Sequence, residues 1–292
     1  MLKVLKALIL IVNVGVIIAL LTIHFIIKDS GFRQSLLFYT LPLPIIIAIV
    51  LFLSLFVGKR IRKYNLILAG VLMLVWLVRS FRLHFFADVT SPNLEIVFWN
   101  ASRDQGFEEA FNENGNLPDV MVLVESKVND LNALTAKYPN FFFYRIKKEV
   151  YISSKTPIKI LKKETSKHKS AVIKFNTKGI DFFVVDAQGS FGVPRRVEMA
   201  FIDSQIDVSK KTIVLGDFNL PYESVLFKKI KKNFNHAFTK KGLGFRETWF
   251  YGWPLLSIDH IWVSKDVEIL KAEKLNTQES DHSMIKTYLK IE

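Results

Sequence analysis

The chain has 292 residues, half of them hydrophobic, and a formal net charge of +13 at neutral pH. It contains no cysteine, which excludes disulfides, thiolate metal sites and cysteine nucleophiles but favours no compartment. The excess of basic over acidic residues predicts anionic partners, namely nucleic acid, acidic lipid headgroups or phosphorylated substrates. Positive charges placed beside membrane spans as topology signals are an equally good explanation of much of the excess.

The excess of apolar residues lies almost entirely before Asp88, in three stretches. Crossing a bilayer takes roughly 20 apolar residues, and residues 4–27 and 36–57 satisfy this directly. Residues 66–78 are shorter, but the stretch extends to Phe86 if Arg79 and Arg82 reach the interface with their side chains. We therefore predict a membrane domain of three transmembrane helices over residues 1–88 and a second domain over residues 89–292.

The basic residues of the short loops predict an orientation. Lys3 and Lys6 precede the first span, and the loop of residues 58–65 carries four more lysines and arginines. Cytoplasmic loops are enriched in such residues, so the amino terminus and this loop are predicted to be cytoplasmic. Three crossings then place the second domain outside the cytoplasm, at the cell membrane, although Arg79 and Arg82 weakly favour the opposite.

The second half of the chain alternates strand patterns with helical ones, separated by turn residues. Predicted strands cover residues 94–100, 120–125, 141–146, 150–153, 171–175, 181–187, 212–215, 261–263 and 284–289, and predicted helices cover residues 128–137 and 195–208. This mixture predicts an α+β fold, a four-layered sandwich of two mixed β-sheets flanked by helices. Residues 155–169 are rich in lysine and read as a solvated hairpin, with contact to anionic lipid or substrate as the alternative.

Polar residues recur where apolar strands end or begin. In chain order they are Asn100, Glu125, Asp217 and Asn219 in a GDFN turn, Asp259 in an IDH element, and Asp281 and His282 in an SDH element. Carboxylates, amides and an imidazole supply hard ligands for Mg²⁺ or Mn²⁺ together with a titratable base. Any one of these residues alone is better explained by capping or by solvation, but the whole series at strand ends predicts a catalytic site.

This order of motifs resembles the endonuclease/exonuclease/phosphatase superfamily, from about Leu94 to the carboxyl terminus. The resemblance implies a metal site, for Mg²⁺ or Mn²⁺, at Asn100, Glu125 and Asp281. It also implies that Asp217 orients or deprotonates the attacking water, with Asn219 holding the phosphate or positioning Asp217. The implied role of His282 is to stabilise the charged transition state, with its imidazole oriented by Asp259.

Two positions depart from the family pattern. Gln188 stands where many members carry a histidine, and it can donate a hydrogen bond but cannot transfer a proton near neutral pH. Ser102 stands where apurinic endonucleases have a further aspartate. Gln188, Arg196 and Trp249 are the predicted substrate-binding residues; the alternatives are a surface helix start at Arg196 and a core aromatic at Trp249.

Together these features predict a membrane-anchored, divalent-metal-dependent phosphoester hydrolase with no obligate protein partner. The arrangement also resembles a three-span bacterial subgroup related to glycopeptide-resistance proteins, which implies a lipid-linked phosphate or diphosphate as substrate. The basic balance favours an extracytoplasmic endonuclease or phosphodiesterase acting on nucleic acid instead. A degenerate, non-catalytic phosphate-binding module is a third interpretation, supported only by Gln188.

Overall fold

The computed structural model describes residues 2–85, 93–147, 149–208 and 211–291. The chain divides into two compact units, Met1–Phe81 and Arg82–Glu292. The boundary predicted at residues 88 and 89 falls outside the described residues, so the predicted domain limits stay a prediction.

The first unit is helical. Its helices are α1 (Leu2–Leu21), continued by a π-helical segment (Thr22–Ile27), α2 (Phe32–Thr40), α3 (Leu43–Ser54) and α4 (Lys59–Ser80). Two helical segments, Lys3–Ile27 and Lys59–Ser80, are long and apolar enough to cross a membrane. Within this unit α3 packs against α4 through an apolar core that includes Ile46, Val50 and Leu72.

The second predicted span is not one helix. α2 and α3 meet at an angle of 72°, so they form either one broken span or a re-entrant loop. The break follows from Pro42, which immediately precedes α3, and Pro44 in its first turn. Proline has no backbone N–H and disfavours helical geometry in the residue before it, which here is Leu41 with φ −119° and ψ 60°. Among the described residues, the number of segments that could cross a membrane is therefore two, or three if the bent pair forms one span.

The second unit alternates strands and short helices. Its first half contains β1 (Phe81–Leu83), β2 (Asn93–Asn100), α5 (Phe107–Asn114), β3 (Val120–Val124), α6 (Leu131–Lys137), β4 (Phe142–Lys147), β5 (Val150–Ser154), β6 (Lys159–Thr165), β7 (Ala171–Thr177) and β8 (Ile180–Asp186). Its second half contains α7 (Arg195–Gln205), β9 (Thr212–Asp217), a 3₁₀ turn (Val225–Phe227), α8 (Lys228–Asn233), β10 (Phe234–His236), α9 (Ala237–Lys241), β11 (Leu243–Phe245), β12 (Asp259–Ser264), β13 (Glu268–Leu275) and β14 (Met284–Lys290).

Two six-stranded sheets dominate the described part of this unit. One has the order β10-β12-β9-β8-β7-β6 and the other β13-β14-β2-β3-β5-β4. In the first, β8 and β9 run parallel, and in the second β2 and β3 do, while the neighbouring pairs are antiparallel. The predicted α+β class with two mixed sheets is confirmed.

Alternate side chains of the two sheets meet in one apolar core. Ile96 and Phe98 from β2 lie in the same buried cluster as Val184 from β8 and Leu215 from β9. The opposite face of the second sheet is covered by α5 and α6, whose side chains join a second cluster around Trp99. Strands buried on both faces read as continuous apolar runs, which is why they were visible in the sequence.

Some predicted elements differ from the structure. The helix predicted from residue 128 begins at Leu131, because the Asp130 carboxylate accepts the N–H groups of Asn132 and Ala133 at 2.8 and 3.1 Å. The helix predicted to residue 208 ends at Gln205. The sequence pattern also missed α5 and the edge strand β13, whose mixed sequence EILKAEKL lacks a clear alternation.

Candidate active site

The strands that carry the predicted site residues end or begin at one end of the sandwich. In the first sheet Asp186, Asp217 and Asp259 lie in register on the adjacent strands β8, β9 and β12. In the second sheet Asn100 lies in register with Val124, the last residue of β3. The carboxyl ends of parallel strands share one sheet edge, so these polar residues are brought together although the chain separates them widely.

A tight turn after β9 holds Asp217. Gly216 has φ 152°, and a Cβ there would lie 1.9 Å from the carbonyl oxygen of Val185, so only glycine fits. Asn219 has φ 49°, its N–H donates to Asp217 Oδ1 at 2.8 Å, and its Nδ2 donates to Asp217 Oδ2 at 3.2 Å. The same Nδ2 donates to the carbonyl of Ala187 at 2.8 Å. Asn219 therefore fixes the orientation of the Asp217 carboxylate.

Asn100 links the two sheets at the site. Its Nδ2 donates to Asp217 Oδ2 at 3.1 Å, and its Oδ1 accepts the N–H of Ser102 at 3.1 Å. Both Asn100 and Asp217 are buried. The buried carboxylate thus receives hydrogen bonds from both sheets, which holds its position relative to the strand ends.

A buried carboxylate–imidazole pair lies beside this turn. His282 Nδ1 lies 2.9 Å from Asp259 Oδ2. Burial by itself lowers the pKa of His282, but the charge and hydrogen bond of Asp259 outweigh it and raise the pKa to about 10. His282 is therefore a cation at neutral pH and can donate a hydrogen bond to an anion.

The environment of Asp217 favours the neutral form of its carboxyl, whereas the environment of His282 favours the charged form of its imidazole. Burial, followed by repulsion from the Asp259 carboxylate, raises the pKa of Asp217 to about 8, although His282 and the Asn219 N–H partly oppose this. Two carboxylates forced together in a buried position favour either a shared proton or a bound cation. A shared proton and a bound cation both suit an active site in which one carboxylate takes up and releases a proton.

The family model for endonucleases, exonucleases and phosphatases matches residues 97–282. The chain belongs to the endonuclease/exonuclease/phosphatase family. Members of this family are phosphoester hydrolases that generally use divalent metal ions, and the chain is an enzyme of this class. No curated protein matches the sequence.

Solved structures share the fold of the second unit. An AP endonuclease from Archaeoglobus fulgidus matches with a TM-score of 0.53 and 15% identity, over 68% of this chain and 100% of that one. A mannosyl-6-phosphatase from Bacteroides thetaiotaomicron matches with a TM-score of 0.51 and 16% identity, over 68% and 100%. A family protein from Bacteroides vulgatus gives a TM-score of 0.51 and 16% identity, over 69% and 100%. These likenesses establish the architecture of the unit.

Ligand atoms suited to a divalent ion converge in this family site. Among the described residues, Asp217, Asp259 and His282 offer ligand atoms that all lie within 4.8 Å of one another. Carboxylate oxygens are the ligands that Mg²⁺ and Mn²⁺ prefer, and the raised pKa of Asp217 marks negative charge that a cation would neutralise. Asp217 and Asp259 therefore fit a divalent metal by the chemistry of their oxygens, whereas His282, protonated at neutral pH, does not act as a ligand in that state.

Two of the metal ligands predicted from the sequence, Asp281 and Glu125, do not belong to the cluster of Asp217, Asp259 and His282. Asp281 is beside His282, with its Oδ1 accepting the hydroxyl of Ser102 at 2.6 Å and its Oδ2 accepting Nε1 of Trp249 at 2.8 Å. Burial raises its pKa, but these hydrogen bonds and His282 outweigh that and lower it, so Asp281 is a carboxylate. Glu125, with φ 46°, follows β3 and pairs with Arg103 at 2.8 Å.

The predicted substrate-binding residues border the site. The Gln188 N–H donates to the Ser170 hydroxyl at 2.9 Å, and its Oε1 accepts the N–H of Ser190 at 3.2 Å, so this side chain stabilises a turn. Arg196 is exposed at the start of α7, whereas Arg195 is buried and donates to the carbonyl of Gly189.

Trp249 is half-buried, and its indole N–H holds the carboxylate of Asp281. A core position, the alternative considered from the sequence, is therefore not its environment. The hydrogen bond to Asp281 adds a positioning contact to the substrate-binding role that was predicted for Trp249.

Sequence reasoning missed several residues that hold the site. The Ser280 hydroxyl donates to the carbonyl of Asn100 at 2.8 Å, and the hydroxyls of Ser280 and Ser102 lie 2.8 Å apart. Thr248 Oγ1 accepts the N–H groups of Ile258 and Asp259 at 3.2 and 3.1 Å. Ser102 and Ser280 are close in sequence to the predicted site residues Asn100 and Asp281, so their role could have been predicted. The sequence around Thr248 has no feature that predicts its role.

His260 is structural. Its Nε2 contacts the carbonyl of Leu220 at 2.9 Å and its Nδ1 contacts Nε2 of His236 at 3.0 Å, with both rings buried. Burial lowers the pKa of His260 to about 4, so the ring is neutral under ordinary conditions.

Proposed function

We propose that this chain is a membrane-anchored, divalent-metal-dependent hydrolase that cleaves a lipid-linked phosphate or diphosphate. The observation that carries the hydrolytic part is the convergence of Asp217, Asp259 and His282 within 4.8 Å at the shared end of the two sheets. Family membership supplies the reaction class. The lipid-linked substrate and the membrane anchoring rest on the apolar helices of the first unit and on the resemblance to the three-span subgroup.

The proposed chemistry is in-line attack of water at phosphorus. Asp217, held by Asn219 and Asn100, accepts the proton of the attacking water in its deprotonated form, which becomes the major form only as the pH rises toward its raised pKa of about 8. His282, kept protonated by Asp259, donates to the phosphoryl oxygens as their negative charge grows in the transition state. A divalent cation, held by Asn100, Glu125 and Asp281 in our proposal, supplies Lewis-acid polarisation of the non-bridging oxygens when bound.

A membrane tether favours a substrate that lies in the same bilayer. Confining enzyme and substrate to one surface raises their effective concentration without any added binding contact. This argument applies to an isoprenoid or other lipid carrier bearing a phosphate or diphosphate. The net charge of +13 favours a second candidate, an extracytoplasmic nuclease acting on nucleic acid.

The two candidates are separated by one experiment. The purified full chain in detergent micelles with Mg²⁺ is given polyprenyl diphosphate and plasmid DNA in parallel, and phosphate release and DNA nicking are measured. We expect phosphate release with intact plasmid, and the reverse result would reject the lipid substrate. Turnover of neither, in protein shown to be folded, would favour a phosphate-binding module.

The site assignment is tested with two matched variants. Asp217→Asn keeps the shape of the side chain but removes the proton acceptor, so we expect a loss of kcat of about a hundredfold or more. Glu125→Gln is expected to raise the Mg²⁺ concentration that gives half-maximal activity, while kcat at saturating Mg²⁺ falls less. Activity of Asp217→Asn equal to that of the unmodified chain would overturn the assignment.

A further inference from the structure

Three loops adjoin the strand ends of the first sheet at the end that carries Asp217 and Asp259, and we call them the rim: residues 166–170, 187–194 and 249–256. Their positions follow from the register of four adjacent strands, in which Ala171, Asp186, Asp217 and Asp259 lie in one row. Neighbouring strands are about 4.8 Å apart, so this row is roughly 15 Å long. The first and second loops adjoin one side of Asp217, and the third adjoins the other.

The rim exposes large aromatic side chains. Phe191 is 66% exposed, Trp253 68%, Tyr251 47% and Phe250 40%. Single exposed apolar residues are normal on protein surfaces, but aromatic residues on two loops beside one site are a concentration that marks interaction surfaces.

The aromatic loops are ordered and joined to the site. Trp249 and Leu256 exchange backbone hydrogen bonds at 2.9 and 3.1 Å, which closes the third loop at its base. The N–H of Tyr251 donates to the carbonyl of Asp281 at 2.9 Å. In the second loop the N–H of Val193 donates to the carbonyl of Ser190 at 3.3 Å, so Phe191 lies within a turn. The backbone that carries these exposed rings is therefore held in place by hydrogen bonds.

The remaining loop of the rim is basic. Lys167 and Lys169 are exposed on the turn between β6 and β7. The Ser166 hydroxyl accepts the N–H groups of His168 and Ser170 at 3.1 and 3.0 Å, and the Ser170 hydroxyl accepts the N–H of Gln188. The two ammonium groups are thus carried on a fixed turn that is hydrogen-bonded to the second loop.

We propose that the rim docks on the headgroup region of an anionic bilayer, with its aromatic rings inserted and its lysines against lipid phosphates. Trp and Tyr concentrate at membrane interfaces because their rings combine apolar and polar parts, and basic residues are attracted to anionic lipid surfaces. The site enclosed by the rim then opens directly onto phosphoesters carried by lipids. This inference deepens the proposed function and rests on it.

The absence of cysteine from the sequence allows a direct test of insertion. F191C and W253C are labelled with a nitroxide in the full chain, reconstituted in nanodiscs containing phosphatidylglycerol. We expect both labels to gain accessibility to lipid-soluble oxygen and lose accessibility to a water-soluble nickel complex, relative to detergent micelles. V208C is the matched control, because Val208 is 54% exposed and precedes β9 at the opposite end of the sheet. Rim labels as water-accessible as V208C would overturn the proposal.

A second test removes charge at either end of the same strands. The double variant K167Q/K169Q changes the rim turn, and K159Q/K178Q removes equal charge at the other end of β6 and β7. Each double variant replaces one lysine that has a positive φ, Lys169 in the rim and Lys178 in the control, so the two variants are matched in backbone conformation. We expect only the rim variant to need more anionic lipid, by about tenfold, for the same accessibility change. Equal behaviour of the two variants would contradict the charge contact.

The outcomes separate this inference from the proposed function. Bilayer-inserted labels without hydrolysis of polyprenyl diphosphate would support the docking surface and reject the lipid substrate. Hydrolysis of that substrate with water-exposed labels would support the substrate and overturn the docking surface. An accessibility change caused by polyprenyl diphosphate alone, and not by phosphatidylglycerol, would assign the rim to the substrate's chain and overturn bilayer docking.

Discussion

A buried threonine connects the two chain segments that bring Asp259 and His282 together. Thr248 Oγ1 accepts the N–H of Asp259, and the Thr248 carbonyl accepts the N–H of Ser283 at 2.7 Å. The hydroxyl therefore holds the backbone of Asp259 and not its carboxylate. Thr248 is therefore a positioning residue, which acts through the contact between Asp259 and His282.

This role predicts a pH effect. Thr248→Val leaves two buried N–H groups without an acceptor, which loosens the segment that holds Asp259. Since the Asp259 carboxylate raises the pKa of His282, a longer contact lowers that pKa, and activity that needs protonated His282 is lost at a lower pH. We expect the alkaline limb of the pH–rate profile to move down for Thr248→Val and to be restored in Thr248→Ser. Unchanged profiles in both variants would reject the role.

Lys274 predicts how stability depends on pH. Burial lowers its pKa from 10.5 to about 8, only partly offset by the charge of Glu247. The folded chain therefore carries a destabilising charge that is fully present below pH 8 and fades as the pH rises toward 10.5. Thermal unfolding of the full chain, followed by tryptophan fluorescence from pH 7 to 10, should show this rise in stability. Lys274→Met should flatten the rise, and Lys290→Met, at the exposed last residue of β14, should not.

At the scale of elements, α5 attaches to the outer face of the second sheet through aromatic rings. Phe107 contacts the rings of Phe111, Phe143 and Tyr151 at centroid distances of 5.7, 5.1 and 6.4 Å. It is fully buried, whereas Phe142 on β4 of the same sheet is exposed. The two phenylalanines thus provide a matched comparison of buried and exposed aromatic side chains.

Phe107→Ala should lower the free energy of unfolding by about 3–5 kcal/mol, because a large buried ring leaves a cavity. Phe142→Ala should change it by less than about 1 kcal/mol. Chemical denaturation of both variants in the same detergent measures the difference. Similar losses would mean that α5 contributes little to the stability of the sheet.

At the scale of the whole molecule, if the first unit spans a membrane as we propose, the bent pair of α2 and α3 decides on which side of that membrane the catalytic unit lies. If the pair crosses, Ser30 and Lys59 lie on opposite sides of the membrane, and the catalytic unit is outside the cytoplasm. If the pair is re-entrant, both residues lie on the same side, and the catalytic unit is cytoplasmic. The basic residues that follow Gly58 favour crossing.

The orientation is measurable because the chain has no native cysteine. S30C and K59C are treated with a membrane-impermeant maleimide in intact cells and again after lysis. We expect S30C to react in intact cells and K59C only after lysis. Reaction of both in intact cells would indicate a re-entrant pair, and would place the proposed lipid substrate on the cytoplasmic leaflet.

The sequence by itself determined the class of fold, most strand positions and the family. Apolar runs and turn residues act locally, so β2, β3, β8, β9, β12 and β14 were visible without knowledge of their partners. The polar residues at strand ends were visible for the same reason. The break at Pro42 and Pro44 belongs to the same class of local features, since the effect of proline on a helix is local.

Only the tertiary structure decided which of these residues touch. Asn100 and Asp217 are separated by 117 positions in the chain, and Asp259 and His282 by 23, and each pair meets through strand register and packing. The link between Trp249 and Asp281 and the support from Thr248 likewise depend on contacts that bring separate segments of the chain together. Periodicity encodes which face of an element is buried, but the neighbour across that face is selected by packing of the whole chain.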